Sequence, residues 1–305
     1  MIGIGLIGFG YWGENLLRAF SAVSDCRICW VADVNPKRLE GMPNLNTVED
    51  FHKGLDDPEL DAVIVATPSL THFAIAKEVL KAGKHVFVEK PLAMCCEDAG
   101  KLKELAKKKS LVFMVDHLLL YHSAIIKLLD LVRGGEIGGI RYIHAQRLGA
   151  KVRNEENVLW SLGPHDLSIV LELLDDNPES IRATGKSYIN GNQKEDVVFL
   201  SLGFPNNIDV HLHLSWIEQQ RVRCFTVVGD NGSIVFDDLD TSKLVVYKDG
   251  NIIIPKIEDR QPLNIACQHF VDCIKGGQRP ITDGESGSRV IEILEQAQRC
   301  LDEKG

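Results

Sequence analysis

The chain has 305 residues, of which 45% are hydrophobic and 25% are charged, and its formal net charge is -9. That length accommodates two domains with a sizeable core, and the acidic balance argues against general binding to nucleic acid or to an anionic membrane surface. No apolar run approaches the roughly 20 residues that cross a bilayer, and no signal peptide is recognisable, so the sequence predicts a soluble, cytoplasmic protein.

The eight cysteines predict neither a metal site nor disulfides. Cys26 and Cys29 form a C-x-x-C pair, but Cys29 lies inside an apolar strand, and no second pair stands at zinc-finger spacing. The other cysteines fall on apolar positions of predicted helices or strands, which is typical of buried, reduced thiols. We therefore expect no bound metal.

The first part of the chain alternates apolar strands with amphipathic helices. Continuous apolar runs such as DAVIVATP are typical of a parallel sheet that is covered on both faces. The alternation predicts an α/β fold, with a doubly wound parallel Rossmann sheet of about six strands over residues 1–120. The predicted strands lie near residues 2–7, 26–33, 45–48, 61–68, 84–91 and 111–117, and the predicted helices near 14–20, 49–55, 71–83 and 97–109.

Beyond residue 120 the pattern changes to alternating segments without helices between them. The short turns PNN, GDNG and KDG that join them are hairpin signals, so we expect a mostly antiparallel sheet in an α+β domain over residues 121–305. The last helices could pack back on the first domain. Helices are predicted near 122–133, 163–175, 263–275 and 285–301, and a long strand at 140–149.

A glycine-rich turn follows the first strand and reads Gly8-Phe9-Gly10-Tyr11-Trp12-Gly13. In a dinucleotide site the first glycine allows the tight turn, the second lets the backbone approach a pyrophosphate, and the third lets the helix lie close to the strand. Asp33 ends the second strand, where it would accept hydrogen bonds from both ribose hydroxyls and repel a 2′-phosphate. The six residues of the turn and Asp33 thus predict NAD binding, with NADP less favoured; a structural turn with a surface aspartate is the alternative.

Two further polar groups stand at the carboxyl ends of predicted strands, where open α/β sheets bind their ligands. The first contains Thr67-Pro68 followed by Thr71-His72, and the second is Glu89-Lys90-Pro91. We interpret Thr67, Pro68, His72 and Glu89 as cofactor contacts. Lys90 either serves the site or reaches the surface from the strand end with Glu89 as an ion-pair partner, and the pattern alone favours neither.

A histidine opens the main helix that we predict in the second domain. Gly163-Pro164 is typical of a helix start and would put His165 in the first turn, where the helix dipole keeps the imidazole neutral. A neutral histidine facing a lysine ammonium can accept a substrate proton while the lysine holds the oxygen. A capping or core histidine is the alternative.

Five segments together resemble the glucose-fructose oxidoreductase / inositol dehydrogenase (Gfo/Idh/MocA) family: GFGYWG, ATPSLTH, AGKHVFVEKPLA, LGPHDL and HFVDCIKGGQRPITDGESG. The resemblance covers essentially the whole chain. It implies that Lys90 and His165 are catalytic, and that the second domain carries an open-faced sheet through which a homodimer or homotetramer commonly forms. The implied reaction is hydride transfer between a secondary alcohol of a sugar or polyol and nicotinamide.

The segments MVDHLLLYHSAI, RYIHAQRLG and NVLWSLGPHDLSI resemble the branch of nucleotide-sugar 3-dehydrogenases. In that branch the residue at position 116 is usually glycine and the one at 161 is usually aspartate, whereas this chain has Asp116 and Ser161. Serine supplies no negative charge. Lys90 and His165 would then act unaided, or Asp166 or Asp116 would substitute.

Other side chains are candidates for substrate contact. His117 and Tyr121, four residues apart at a predicted helix start, could reach the cleft or could pack the domain junction. Basic residues beside the cleft could bind a phosphate or carboxylate, or could form a solvated basic face. The substrate candidates are Lys90, His117, Tyr121, Arg147, Trp160, Ser161 and His165, and the other basic residues are Lys151 and Arg153.

The sequence thus predicts an NAD-dependent oxidoreductase that acts on a sugar or polyol, including nucleotide sugars. An inositol or free-sugar dehydrogenase, or a ketoreductase, is the first alternative. A catalytically inactive NAD-binding regulatory protein is the second, because Asp116 and Ser161 depart from the pattern of similar sequences.

Overall fold

The structure is a computed structural model that describes residues 1–40, 45–152, 156–189 and 194–303. These residues form two compact units. The first unit comprises Met1–Leu118 and Arg260–Ile291, and the second comprises Leu119–Asp259 and the chain from Glu292 onward. The stretch 260–291, which the sequence assigned to the second domain with the provision that the last helices could pack back, therefore belongs to the first unit.

Fourteen strands and eight α-helices lie in the described ranges. The strands are β1 Ile2–Ile7, β2 Cys26–Ala32, β3 Thr47–Val48, β4 Ala62–Val65, β5 His85–Val88, β6 Phe113–Val115, β7 Ile140–Leu148, β8 Ser180–Lys186, β9 Val197–Phe204, β10 Ile208–Ser215, β11 Val222–Gly229, β12 Gly232–Asp237, β13 Leu244–Lys248 and β14 Asn251–Ile253. The helices are α1 Tyr11–Ser21, α2 His52–Leu55, α3 His72–Lys81, α4 Cys96–Lys108, α5 Ser123–Arg133, α6 Val158–Leu174, α7 Pro262–Gly276 and α8 Gly284–Asp302.

The six strands of the first sheet are all parallel and lie in the order β3-β2-β1-β4-β5-β6. This is the doubly wound order, whose topological switch point falls between β1 and β4. All four residues of β4 are buried, as its continuous apolar run predicts. The predicted Rossmann sheet is confirmed, and its carboxyl edge carries the glycine turn.

Three phenylalanines hold α7 against the rest of the first unit. The ring of Phe270 lies 6.1 Å from that of Phe20 on α1 and 5.5 Å from that of Phe87 on β5, with edge-on geometry in both pairs. Phe20 and Phe87 themselves lie 5.4 Å apart, and all three are fully buried. Edge-on aromatic pairs add to the free energy that their burial already contributes. A helix from late in the chain thus completes the core under the first sheet.

The second sheet has eight strands in the order β14-β13-β12-β11-β7-β10-β9-β8. Neighbouring strands are antiparallel except β7 and β10, which run parallel. The predicted mostly antiparallel sheet is therefore confirmed. Helix α6 packs against β7, β9 and β10 on one face.

The two faces of the second sheet differ in burial. On β9 and β10, Leu200 and Leu212 are buried, whereas Phe199 is 51% exposed and His211 is exposed. The exposed side chains include stacked pairs: the ring of Phe199 lies 4.2 Å from that of His213. One face therefore joins the core, and the other carries aromatic and polar side chains.

The predicted start of α6 is wrong. The helix begins at Val158, where the side chain of Asn157 accepts a hydrogen bond from the Trp160 N–H, and Pro164 lies inside it. Gly163-Pro164 imitates the start of a helix, but the asparagine cap before an apolar run determines the true one. Helix α2 is also shorter than predicted, since it spans His52–Leu55.

The cysteines form no disulfide in the structure, and three of them, Cys26, Cys267 and Cys273, are buried; the other five are partly exposed. No group of three His, Cys, Asp or Glu side chains in the described ranges could hold a metal ion. Within the same ranges, no helix combines the length and apolar character that a bilayer span requires.

We expect Phe270→Ala to lower the free energy of unfolding of the first unit by about 3–5 kcal/mol, because it leaves a cavity between α7, α1 and β5. Phe270→Leu keeps most of the apolar volume and should cost less than about 1.5 kcal/mol. Urea unfolding followed by circular dichroism measures both. Equal losses in the two variants would contradict the packing role of the ring.

Candidate active site

The glycine turn is fixed by close backbone contacts between β1 and α1. Gly8 has φ +94°, and a Cβ there would lie 2.5 Å from the Ala66 carbonyl oxygen. A Cβ on Gly13 would lie 2.1 Å from the carbonyl oxygen of Gly8. A Cβ on Gly10 would meet nothing closer than Nη1 of Arg38 at 3.8 Å. Gly8 and Gly13 are therefore required by the fold, whereas the space at Gly10 is open for a ligand.

The aromatic residues of the turn lie in three different environments. Phe9 is buried, Tyr11 is 83% exposed and Trp12 is half-buried. Nε1 of Trp12 is itself buried, and no acceptor in the described part of the chain bonds it. An unsatisfied buried donor is costly, so this indole N–H is suited to a ligand that brings an acceptor.

The Asp33 carboxylate accepts hydrogen bonds from the backbone, one of them from the glycine turn. Its Oδ2 accepts the Phe9 N–H at 2.7 Å, and its Oδ1 accepts the Asn35 N–H at 2.8 Å. The carboxylate is 5% exposed, and Nη1 of Arg38 lies 3.3 Å from Oδ2. A carboxylate has about four lone-pair sites, so Asp33 keeps capacity for a ribose hydroxyl.

Sequence reasoning missed Arg38, whose guanidinium stands beside both Gly10 and Asp33. It follows Asp33 by five residues, on a short 3-10 turn at Pro36–Arg38. A basic residue shortly after the acidic end of β2 is the signal that could have identified it. Its charge offsets that of Asp33 on the side of the turn where an anionic ligand would lie.

His72 joins two of the predicted strand-end groups. Its Nδ1 lies 2.7 Å from the Pro91 carbonyl oxygen and its Nε2 lies 2.8 Å from the Thr67 carbonyl oxygen. The imidazole is 1% exposed, so it holds the loop after β4 to the Lys90–Pro91 segment, whose peptide bond is cis. Thr67 is half-buried and Pro68 exposed, while the Thr71 hydroxyl donates to Oγ1 of Thr67 at 2.8 Å.

Four ionisable residues follow the ends of β5 and β6. Glu89 and Lys90 come directly after β5, and Asp116 and His117 come directly after β6. Asp116 and His117 are each 2% exposed, and Lys90 is half-buried. Burial, with the charge of Lys90, lowers the pKa of His117 to about 3, so its ring is neutral at physiological pH.

The carboxyl groups of this cluster resist ionisation. Burial and then the charge of Asp116 raise the pKa of Glu89 well above its usual value. Burial raises the pKa of Asp116 to about 6, against the opposing effects of the Glu89 carboxyl and the charge of Lys90. Perturbed groups gathered at the carboxyl ends of neighbouring strands are typical of a functional site.

The second unit carries His165 on α6, in a different setting from the predicted one. Since α6 begins at Val158, His165 is not in the first turn, and the argument from the helix dipole does not apply to it. The residue is half-buried. Its backbone carbonyl accepts the Ser168 hydroxyl at 2.9 Å.

Arg147 and Asp166 form a buried ion pair between β7 and α6. Nε of Arg147 donates to Oδ2 of Asp166 at 2.7 Å, and Nη2 donates to Oδ1 at 2.9 Å. Arg147 is 6% exposed and Asp166 is fully buried. Arg147 therefore directs two of its donors at a carboxylate inside the unit and is little exposed; its proposed contact with a substrate anion stays a prediction. Lys151 is exposed, and Arg153 lies outside the described residues.

The remaining substrate candidates are buried. Trp160 donates its Nε1–H to Oε1 of Gln298 at 3.2 Å and is 6% exposed, and Ser161 is 1% exposed. Tyr121 is 1% exposed and ends a 3-10 turn, Leu118–Tyr121, while α5 begins at Ser123. His117 and Tyr121 therefore precede the helix that was predicted to begin with them.

The features of the first unit fit a dinucleotide. Gly10 leaves open space at the N-terminus of α1, which suits a pyrophosphate. The Trp12 N–H and the Asp33 carboxylate suit the groups that flank a pyrophosphate, a ribose among them.

Two parts of the chain match known protein families. Residues 2–117 match the oxidoreductase family described as GFO/IDH/MocA with an NAD-binding Rossmann fold, and residues 125–235 match the GFO/IDH/MocA C-terminal domain.

Relatives match over nearly the full length. The chain is 27% identical to UDP-N-acetylglucosamine 3-dehydrogenase of Acidithiobacillus ferrooxidans, covering 98% of this chain and 96% of the relative. A solved structure of that name from the same organism has a TM-score of 0.90 at 26% identity, covering 99% of each chain. Myo-inositol 2-dehydrogenase of Thermotoga maritima is 24% identical over 99% of this chain and 96% of its own. An oxidoreductase from Agrobacterium radiobacter, solved with NAD+, L-tartaric acid and magnesium, shares the fold with a TM-score of 0.89 at 19% identity, covering 100% of this chain and 97% of its own.

Alanine substitutions at Gly10 and Gly13 should separate the effect on ligand binding from the effect on folding. Gly10→Ala should change the free energy of unfolding by less than about 1 kcal/mol, since its φ of -87° suits any residue, yet weaken NAD binding by at least about tenfold. Gly13→Ala should cost about 1–3 kcal/mol through the clash with Gly8. Calorimetric titration with NAD and urea unfolding measure the two effects. Unchanged NAD affinity in Gly10→Ala would contradict the assignment of the glycine turn as the pyrophosphate site.

Proposed function

The chain belongs to the GFO/IDH/MocA family of NAD-binding oxidoreductases, and from that premise we propose that it oxidises a secondary alcohol of a sugar or polyol with NAD as the hydride acceptor. The supporting observation is Lys90, which lies just after the buried strand β5 in a cluster of perturbed ionisable groups. The nicotinamide supplies the hydride acceptor when it is bound. The chain supplies orientation, electrostatics and proton transfer.

The proposed roles of the two catalytic residues are complementary. Lys90 donates a hydrogen bond to the substrate oxygen and stabilises the negative charge that develops on it. His165 accepts the hydroxyl proton as a general base. Both roles follow from the family resemblance and from residue chemistry.

We propose that the coenzyme is held by the glycine turn and Asp33. The pyrophosphate would lie on the amides at the start of α1, next to Gly10, and the ribose hydroxyls would bond Asp33. The anion of Asp33 favours NAD over NADP. Arg38, which neutralises part of that charge, makes the preference smaller than Asp33 alone would give.

Two substrate classes remain for the proposed reaction. The similarity to UDP-N-acetylglucosamine 3-dehydrogenase supports a nucleotide sugar. The ion pair of Arg147 with Asp166 supports the second candidate, a free sugar or inositol, because it uses two donors of the guanidinium that was expected to bind a phosphate. Screening UDP-N-acetylglucosamine, free hexoses and inositols for NADH formation distinguishes them.

Turnover should depend on Lys90 and His165, while NAD binding should not. We expect Lys90→Met and His165→Asn each to lower kcat by at least about a hundredfold, the usual contribution of a positioned acid or base, with NAD affinity within about threefold of the parent. Lys107→Met on α4 and His52→Asn on α2, both exposed, are the matched controls. Full activity in either active-site variant, measured as NADH formation, would refute the mechanism.

We also propose that the chain forms a homo-oligomer through the open face of the second sheet. Tyr142 and Phe199 on that face are 42% and 51% exposed, and their rings stack on His144 and His213. Large exposed aromatic side chains on one face are typical of an interface.

Phe199→Lys should therefore shift the protein toward the monomer, because it places a charge in the interface. Leu70→Lys, at an exposed apolar residue of the first unit, is the control. Light scattering coupled to size exclusion measures the mass. A monomeric parent protein, or an unchanged oligomer in Phe199→Lys, would exclude this interface.

A further inference from the structure

We infer that Glu89 and Asp116 share a single proton, so that the pair carries one negative charge beside Lys90 and keeps that lysine in its ammonium form. Asp116 and Glu89 are then positioning residues, which act on the substrate through Lys90. The shared proton is inferred for the apoprotein. Its effect on catalysis rests on the role proposed for Lys90.

The two carboxyl residues are neighbours because of the register of their strands. Strands β5 and β6 are parallel, and Val88 pairs with Val115. Glu89 and Asp116 are the next residues on each strand, and the Asp116 N–H donates to the Val88 carbonyl oxygen at 2.8 Å. The sheet thus brings two acids, 27 residues apart in the sequence, to one edge.

Three of their four carboxyl oxygens lack donors in the described part of the chain. Oε1 of Glu89 and both carboxyl oxygens of Asp116 are buried, and no residue of the described ranges bonds them with ordinary hydrogen-bond geometry. The strand register makes the two groups neighbours, and each of them influences the pKa of the other. Glu89 as a whole is half-buried, but Oε1 is not accessible.

Two ionised carboxylates could not satisfy each other, because both would be acceptors. Two like charges in a buried site also repel, which leaves one of them protonated. A proton on either carboxyl creates one O–H donor, which can bond an oxygen of the other carboxyl that otherwise has no donor. The arrangement therefore favours one proton and one charge over two charges.

Lys90 is the cation beside the negative charge of the Glu89–Asp116 pair, because the neighbouring ionisable groups are neutral. Burial lowers the pKa of His117 to about 3, so the ring is neutral. Burial raises the pKa of Cys267 well above its usual value, so its thiol stays protonated. The charge of Lys90 influences Glu89, Asp116 and His117 alike. An adjacent negative charge favours the ammonium, the form that can hydrogen-bond and stabilise an alkoxide.

The shared proton is tested by the carboxyl-stretching infrared spectrum of the full-length apoprotein at pH 7. The parent protein should show a protonated-carboxyl band that is absent from Asp116→Asn and from Glu89→Gln, since each amide supplies a donor and lets the remaining acid ionise. Glu104→Gln, at an exposed position on α4, should retain the band. A parent spectrum without the band, or a band that survives in both single variants, would overturn the inference.

The charge on Lys90 is tested by competitive acetylation across pH, with the Lys90 peptide quantified by mass spectrometry. The parent and both single variants carry one negative charge, so their labelling midpoints should agree. The double variant Glu89→Gln/Asp116→Asn carries none, and its midpoint should fall by roughly one pH unit. A double variant that labels like the parent, or single variants that shift as far as the double, would overturn the proposed role.

Neither measurement uses a substrate. If the sugar screen finds no dehydrogenase activity, the infrared and labelling results still decide the proton and the charge. If those two results fail while Lys90→Met abolishes turnover, the proposed function stands and the shared proton does not. Circular dichroism and NAD titration of each variant verify that it has folded.

Discussion

The hydrogen bond from the Phe9 amide to the carboxylate of Asp33 is the contact on which the first unit's site depends. It ties the end of β2 to the turn between β1 and α1, in a buried setting where an unpaired amide would be costly. The backbone of the turn is also restricted at Gly8 and Gly13, where a Cβ would clash with carbonyl oxygens. The acid that shapes the glycine turn is therefore the same one that we propose as the ribose contact. A change of coenzyme preference at this position would disturb the turn as well, which makes Arg38 the more accessible residue for tuning it.

Buried carboxyl groups have different partners in the two units. In the second, Asp166 receives two hydrogen bonds from Arg147, and the pair fixes α6 to β7, although burial still raises the pKa of Asp166. In the first, one oxygen of Glu89 and both of Asp116 are buried without a donor among the described residues, and burial raises the pKa of both groups. The carboxylate of Asp166 is thus held by a guanidinium, whereas the pKa values of Glu89 and Asp116 respond to each other and to the charge of Lys90.

Local patterns predicted most of the fold, and long-range pairing accounts for the failures. Continuous apolar runs located the strands of the first sheet, and the turn from Gly8 to Gly13 with Asp33 could be recognised because spacing alone defines it. The start of α6 was misplaced because Gly163-Pro164 imitates a helix start. The fate of Arg147 could not be foreseen, since its partner lies 19 residues away and meets it only when α6 packs on the sheet. No local sequence pattern predicts such a pairing.

The position of Phe270 on α7 has a consequence for biosynthesis. Phe20 and Phe87 emerge early from a ribosome, but the ring that covers them belongs to residue 270 of 305. An apolar patch on the nascent Rossmann sheet thus stays open to water while the whole eight-stranded sheet is translated. Chains with such distant contacts fold slowly and expose surface to aggregation in the meantime. The core around Phe20 and Phe87 can therefore close only after α7 has left the exit tunnel.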